Sequence, residues 1–280
     1  MATKWFGVLE GADEVINRHI SQGGDNFRYG KTGKALSSCP KEFSSRALLN
    51  ELITTLEDNL RTKRKSAGIK FGRSEHNWRE ESPREEHEDR KPERDLEHKI
   101  ANIAGRNDQN WKWWNQMPIA SGLVEHRSDR TRAIDLACRS KSDSTHYRLI
   151  ELKVNRNAGS PMFAMIEIVL YGLVYFVLRK NRGEEWLSED WLNADIFAAQ
   201  LVDLCVLAPG DYYHGYELGW LEKELSQAIG DACTESFGGN LKMTLTNYRL
   251  AGIPKWLEAN LDDELTLQGL GTAWGKAYKR

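Results

Sequence analysis

Residues 131–154, TRAIDLACRSKSDSTHYRLIELKV, decide the fold of this chain. Two apolar runs with isolated charges flank a polar connection, which is the pattern of a β-hairpin. In the first run Asp135 takes the face opposite its apolar neighbours, and in the second run Glu151 and Lys153 share a face. If the connection is centred near residues 142–143, antiparallel pairing brings Asp135 opposite or next to Glu151, with Cβ atoms about 5 Å apart.

Two carboxylates and one ammonium on a single sheet face suit a hard divalent cation. Mg²⁺ binds oxygen ligands at about 2.0–2.1 Å and keeps several waters. Such an ion polarises a phosphoryl oxygen and lowers the pKa of a bound water. A lysine beside the ion can orient that water or neutralise charge on the phosphate. The pattern therefore indicates phosphodiester hydrolysis.

The spacing of these residues resembles the core of the PD-(D/E)XK nucleases. Fifteen residues separate Asp135 from residues 151–153, Glu-Leu-Lys. Two other tripeptides, residues 89–91 and 97–99, fit the same pattern. Only residues 151–153 lie in an apolar β-run that follows a second such run with a lone Asp. The resemblance covers roughly residues 93–207.

This resemblance implies a fold, an activity and a set of site residues. The expected fold is α/β, a restriction-endonuclease-like core with a mixed central sheet flanked by helices. The expected activity is Mg²⁺-dependent hydrolysis of DNA, with Mn²⁺ as a substitute, in antiviral defence or DNA repair in bacteria. Asp135 and Glu151 would bind the metal with the backbone carbonyl of Leu152. Lys153 would position the attacking water, and Glu97 on the first core helix would support the ion.

Three alternatives stay open at this point. The hairpin can lie at the surface with its charges solvated. The chain can be a nucleic-acid-binding module that kept the fold and lost the chemistry. It can also be a nuclease subunit that cuts only inside a larger assembly.

Composition narrows the class of protein. The chain has 280 residues, which suffice for one large domain or two smaller ones. A net charge of −2 excludes a uniformly basic surface, so contacts with DNA are expected from local patches. The four cysteines are too widely spaced for a CxxC metal pair, and the first residues lack the apolar core of a signal peptide. These features favour a cytoplasmic protein without a membrane partner. A protein partner or a homo-oligomer stays open.

The N-terminal third divides into two regions. Residues 1–72 are predicted to form an extension or small domain that governs substrate or partner choice. Within it, leucines at helical spacing predict a helix over about residues 45–65. Residues 73–92 are dense in both charges and are predicted to be a linker. Residues 93–280 are then the nuclease-like domain.

Basic and aromatic residues precede the hairpin. A helix is predicted over residues 93–104, and a first core strand over residues 117–124. The tryptophans of residues 111–114, Trp113 among them, are expected to cap a sheet edge, although aromatics beside a cation can also stack bases. Three arginines near the first turn are candidate DNA contacts: Arg127, Arg130 and Arg132.

An apolar helix is predicted after the hairpin, over residues 161–179. It is at the short limit of a membrane span and carries Glu167, so a buried helix is favoured. Glu167 and Tyr171 are one turn apart and share a helix face. The branch of the family that resembles RecB nucleases carries Gln and Tyr at this spacing, and this chain has Glu167 in place of the Gln. The resemblance therefore implies that Glu167 and Tyr171 are candidate contacts to the nucleic acid.

The remaining pattern predicts strand, helix and strand over residues 200–208, 218–237 and 241–250. Alternating strands and helices indicate an α/β architecture. The tail after residue 252 is expected to be irregular and to cover the sheet.

Overall fold

The structure is a computed structural model, and it describes residues 5–20, 39, 41–63, 77–80, 92–120, 123–124, 132–154, 159–187, 190–250 and 274–277. These residues form an α/β fold with a mixed sheet between helices. The helices are α1 (Ala12–Ile20), α2 (Ser45–Thr62), α3 (Pro92–Asn107), α4 (Pro161–Lys180) and α5 (Gly219–Phe237). The strands are β1 (Trp111–Pro118), β2 (Ala133–Ser140), β3 (His146–Leu152), β4 (Leu201–Pro209), β5 (Lys242–Leu250) and the short β6 (Trp274–Lys276).

The sheet follows the order of the chain. Its strands lie in the order β1-β2-β3-β4-β5-β6. The first three strands are antiparallel, β3 to β5 are parallel, and β6 is antiparallel to β5. The two parallel connections need crossovers, and α4 and α5 provide them. The predicted strands and helices from β2 to β5 are thereby confirmed.

The predicted hairpin is confirmed in register. Leu136 pairs with Ile150 and Arg139 pairs with Tyr147. Continued by one residue, this register places Asp135 opposite Glu151.

The polar face of the hairpin is covered, because α4 lies over it. Leu149 packs into the large core with α4, whereas Ile150 packs into a second cluster with α3. Glu151 and Lys153 are 4% and 7% exposed. The alternative of a surface hairpin with solvated charges is therefore wrong.

The first core strand begins earlier than the sequence pattern predicted. β1 runs over Trp111–Pro118 and not over residues 117–124. The tryptophans lie inside this strand and do not cap an edge: Trp113 packs on the α3 side and Trp114 enters the large core. Bulky aromatics favour a pleated, half-buried surface, so the aromatic run is itself the strand.

The described N-terminal helices share the large core with the sheet. Residues of α1 and α2 belong to the same buried cluster as those of α4 and α5. The side-chain amide of Asn59 on α2 also binds the segment that precedes α1. It donates to the carbonyls of Val8 at 3.1 Å and Glu10 at 2.7 Å.

The long apolar helix α4 is buried, as predicted. Ser160 caps its first turn by accepting from the N–H of Phe163, and Pro161 follows. Gly172 lets α4 approach β4, since a Cβ there would lie 2.5 Å from a methyl of Leu204. Within the described part of the chain, α4 is the one helix long and apolar enough to cross a membrane, and 89% of its most apolar window is buried in the protein.

Candidate active site

Three of the predicted site residues meet where β2 and β3 lie side by side. Asp135 of β2 is partly buried, and its Oδ2 accepts from the N–H of Leu152 at 2.9 Å. Lys153 directly follows β3, and its N–H donates to the carbonyl of Leu207 on β4 at 2.9 Å. The backbone of the site is therefore fixed by three neighbouring strands.

Lys153 joins the hairpin to α4. Its Nζ donates to Glu151 and, at 3.3 Å, to Oε2 of Glu167. The hydroxyl of Tyr171 donates to the other oxygen of Glu167, also at 3.3 Å. Burial opposes the charge of Lys153, but the adjacent carboxylates outweigh it and raise the pKa of the ammonium. The predicted pair Glu167 and Tyr171 thus lies directly beside the hairpin charges.

The carboxylates of this cluster exceed the cations that face them. Burial raises the pKa of Asp135 to about 7, against the opposing effects of Lys153 and the Leu152 N–H. Burial also raises the pKa of Glu151, and repulsion from Asp135 and Glu167 adds to it. A single ammonium cannot neutralise this group, so a further cation would lower its free energy.

Glu97 belongs to the same group, although it comes from α3. It is 2% exposed, and burial followed by repulsion from Asp135 raises its pKa to about 9. The side-chain amide of Gln116 donates to Oε2 of Glu97 and opposes that shift. Sequence reasoning missed Gln116, because the first core strand was predicted to begin one residue later, at residue 117, and β1 runs over Trp111–Pro118.

Arg132, one of the predicted DNA contacts, borders the site, and it is held there by N-terminal residues that the sequence did not single out. The ring of Trp5 stacks on Phe163 with centroids 5.8 Å apart and meets the ring of Tyr171 edge-on at 6.4 Å. The guanidinium of Arg132 lies 5.3 Å from the centroid of the Trp5 ring and donates to the carbonyl of Phe6 at 3.0 Å. Residues near the N-terminus thus hold Arg132 beside Tyr171.

Trp113, another predicted DNA contact, does not reach the site. Trp113 is 3% exposed, and its indole N–H donates to Asp108 at 2.9 Å. A base could stack on Trp113 only if α3 moved away. Arg127 and Arg130 lie outside the described residues.

The carboxylates of the cluster are suitable ligands for a hard cation. In their present positions, however, they are not arranged to bind one ion together. Carboxylate oxygens are the ligands that Mg²⁺ and Mn²⁺ prefer. Within the described ranges, however, no group of three or more His, Cys, Asp and Glu side chains is placed to hold a metal ion. The oxygens are instead engaged by Lys153, Gln116 and the Leu152 N–H.

Comparison with known proteins adds no relative. No family model matches the chain, no curated protein matches it, and no solved structure matches it. The class that can be stated is an α/β protein with a mixed sheet and a buried acidic cluster around one lysine.

Proposed function

We propose that this protein is a metal-dependent nuclease of the PD-(D/E)XK type that hydrolyses phosphodiester bonds of DNA. One observation carries the proposal. Asp135 and Glu151 lie on neighbouring antiparallel strands, and Lys153 directs its ammonium to the same carboxylate group. The order of elements also supports a restriction-endonuclease-like core, since a helix and three antiparallel strands are followed by a helix and a parallel strand.

Metal binding follows from the surplus of negative charge. Asp135 and Glu151 would hold Mg²⁺ or Mn²⁺ together with the Leu152 carbonyl, and Glu97 would support it. Glu151 must first release Lys153, so the lysine has to shift. The bound ion supplies polarisation of a phosphoryl oxygen and a more acidic water.

Lys153 then has a separate part in the chemistry. Once its bond to Glu151 is released, Glu167 still holds the ammonium at the cluster. From there Lys153 can donate to the attacking water or to a phosphate oxygen. Tyr171 fixes Glu167 through its hydroxyl, so α4 orients the lysine.

DNA is proposed as the substrate because the Asp135 and Glu151–Lys153 pattern resembles that of the PD-(D/E)XK nucleases. With a net charge of −2, the chain needs local cations to meet the phosphates. Arg132 is a described arginine beside the site, and its guanidinium suits a phosphate. Defence against foreign DNA and DNA repair are both settings in which such an activity is used.

A second candidate is a nuclease subunit that becomes active only in a larger assembly. The observation that favours it is the burial of the site, because Glu151 and Lys153 are almost inaccessible. A partner, a second copy or the DNA itself would then have to open the cluster. Activity of a co-purified assembly, with an inactive isolated chain, would select this candidate.

The test is cleavage of plasmid, linear duplex, single-stranded DNA and RNA, each with Mg²⁺, with Mn²⁺ and with EDTA. The variant Asp135→Asn removes one carboxylate charge with little change of shape. Asp231→Asn, an exposed carboxylate on α5, is the matched control. Metal-dependent cleavage by the parent and the control, but not by Asp135→Asn, supports the proposal. If neither the pure chain nor its co-purified assembly cleaves any substrate, the proposal fails.

A further inference from the structure

Gln116 occupies an unusual position on β1. Its neighbours Asn115 and Met117 pair with Leu136 and Ile134 on β2, so Gln116 lies opposite Asp135 in the register. Its φ is +53°, in the left-handed region that favours glycine. A side chain held there strains the backbone unless the surroundings stabilise it.

Trp78 also has a positive φ, and packing in the core explains its backbone strain. Packing does not explain the strain at Gln116. Trp78 has a φ of +58° and is fully buried against Tyr175 and Phe197, so its packing stabilises the conformation. Gln116 is only partly buried and is polar. What its side chain contributes is the hydrogen bond from its amide to Glu97.

The Gln116 amide is a neutral hydrogen-bond donor, so its effect on Glu97 differs from the effect of the Lys153 cation on Glu151. Lys153 compensates the charge of Glu151, and the two must separate before a metal can use that carboxylate. The Gln116 amide holds Oε2 of Glu97 without placing a positive charge next to it. A cation that approaches Glu97 is therefore not repelled by the group that holds this side chain.

We propose that Gln116 is a positioning residue of the candidate metal site: its left-handed backbone turns the amide towards α3, where it holds Glu97 facing Asp135. This inference rests on the proposed function and extends it to a residue outside the motif. Partners that orient metal ligands are commonly worth about 10- to 100-fold in metal affinity.

The experiment compares Gln116→Gly with the parent by calorimetric titration with Mn²⁺ and by urea unfolding of the metal-free protein. Glycine removes the amide and also relieves the backbone strain. We expect Mn²⁺ affinity to fall about tenfold, while the urea midpoint stays equal or rises. Gln109→Gly, an exposed glutamine before β1, is the control and should not change Mn²⁺ affinity.

A double substitution separates positioning from general damage. In a Glu97→Gln background, Gln116→Gly should cost no further Mn²⁺ affinity, because the group that it positions is already altered. An equal loss in both backgrounds, or parent-like affinity of Gln116→Gly, would overturn the inference.

A readout without metal keeps this inference distinct from the proposed function. The side-chain amide protons of Gln116 should exchange slowly with solvent in the parent and faster in Glu97→Gln. If the parent binds no Mn²⁺, the proposed function fails. Amide protons of Gln116 that exchange slowly in the parent and faster in Glu97→Gln would still show that Gln116 holds Glu97. Unprotected amide protons overturn the inference whatever the metal titration shows.

Discussion

Lys153 is bound across the site to Glu167 of α4, with 3.3 Å between Nζ and Oε2. The same ammonium donates to Glu151, its neighbour on the strand side. The lysine thus connects the hairpin, which carries the motif, to the helix that covers it. Because the acidic side chains outnumber it, the cluster is held under electrostatic repulsion that binding of a cation would relieve.

Glu167→Gln tests this surplus of negative charge directly. Glu167 raises the pKa of both Asp135 and Glu151, so its neutral form should lower both. Because Glu167 also attracts Lys153, the repulsion is tested by the pH dependence of stability. We expect the free energy of unfolding of the metal-free protein to fall less steeply with rising pH in Glu167→Gln than in the parent, because the pKa values of Asp135 and Glu151 return towards their ordinary values. Urea unfolding at several pH values measures the slope. Glu184→Gln, an exposed glutamate after α4, is the control, and a parent-like slope in Glu167→Gln would contradict the expected repulsion.

The stability of the metal-free protein should also depend on pH through Asp135. Its pKa rises from the ordinary 3.8 to about 7 in the folded state. The folded protein therefore binds a proton that the unfolded chain releases, so this contribution is complete below pH 3.8 and is lost as the pH rises towards 7. The free energy of unfolding should fall over this range more steeply in the parent than in Asp135→Asn. Equal slopes would exclude the raised pKa, and saturating Mg²⁺ should flatten the slope of the parent alone.

The hairpin could be predicted from the sequence because its signal is local. Apolar residues alternate with charges in both runs, and a polar connection of suitable length lies between them. The same alternation gave the shared face of Asp135, Glu151 and Lys153. It could not show that α4 covers this face, because burial of a polar face depends on what packs against it.

Two features of the site could not be predicted from local sequence patterns. Arg132 contacts Phe6, which is 126 residues away in the chain, and no local pattern marks a contact of that kind. Gln116 depends on a backbone dihedral angle that glutamine rarely adopts. The position of β1 was predicted wrongly for another reason. The apolar pattern of its tryptophans fits a strand as well as it fits residues that cap the edge of a sheet.

Arg132→Ala should weaken DNA binding without changing which sequence is bound. The guanidinium lies beside Tyr171 and can meet one phosphate, so the slope of log affinity against log salt should decrease by about 1. Fluorescence anisotropy with a labelled duplex in Ca²⁺ at several salt concentrations measures this slope. Lys141→Ala in the exposed hairpin connection is the control for loss of a positive charge. Because Arg132 also holds Phe6, unfolding of the variant must be measured alongside. An unchanged salt slope in a folded variant would remove Arg132 from the DNA interface.

Lys153→Ala separates a catalytic lysine from one that only balances charge. If Lys153 positions the attacking water, the variant should keep DNA binding and metal binding but lose cleavage, by about 10²–10⁴ in rate. If Lys153 only compensates Glu151 and Glu167, the variant should bind Mg²⁺ more tightly, because a competing cation is gone, and should keep much of its rate.

The two outcomes for Lys153 are distinguished by measuring single-turnover cleavage and metal affinity on the same preparation. Lys153→Met, which keeps the length of the side chain without its charge, guards against loss of packing at this buried position. Lys141→Ala serves again as the exposed control. We expect both Lys153 variants to lose cleavage to a similar extent, since the hydrogen-bond donor is absent from both. Cleavage near that of the parent in a folded Lys153→Met would show that the ammonium does not act on the water, and the nuclease chemistry would then rest on the carboxylates alone.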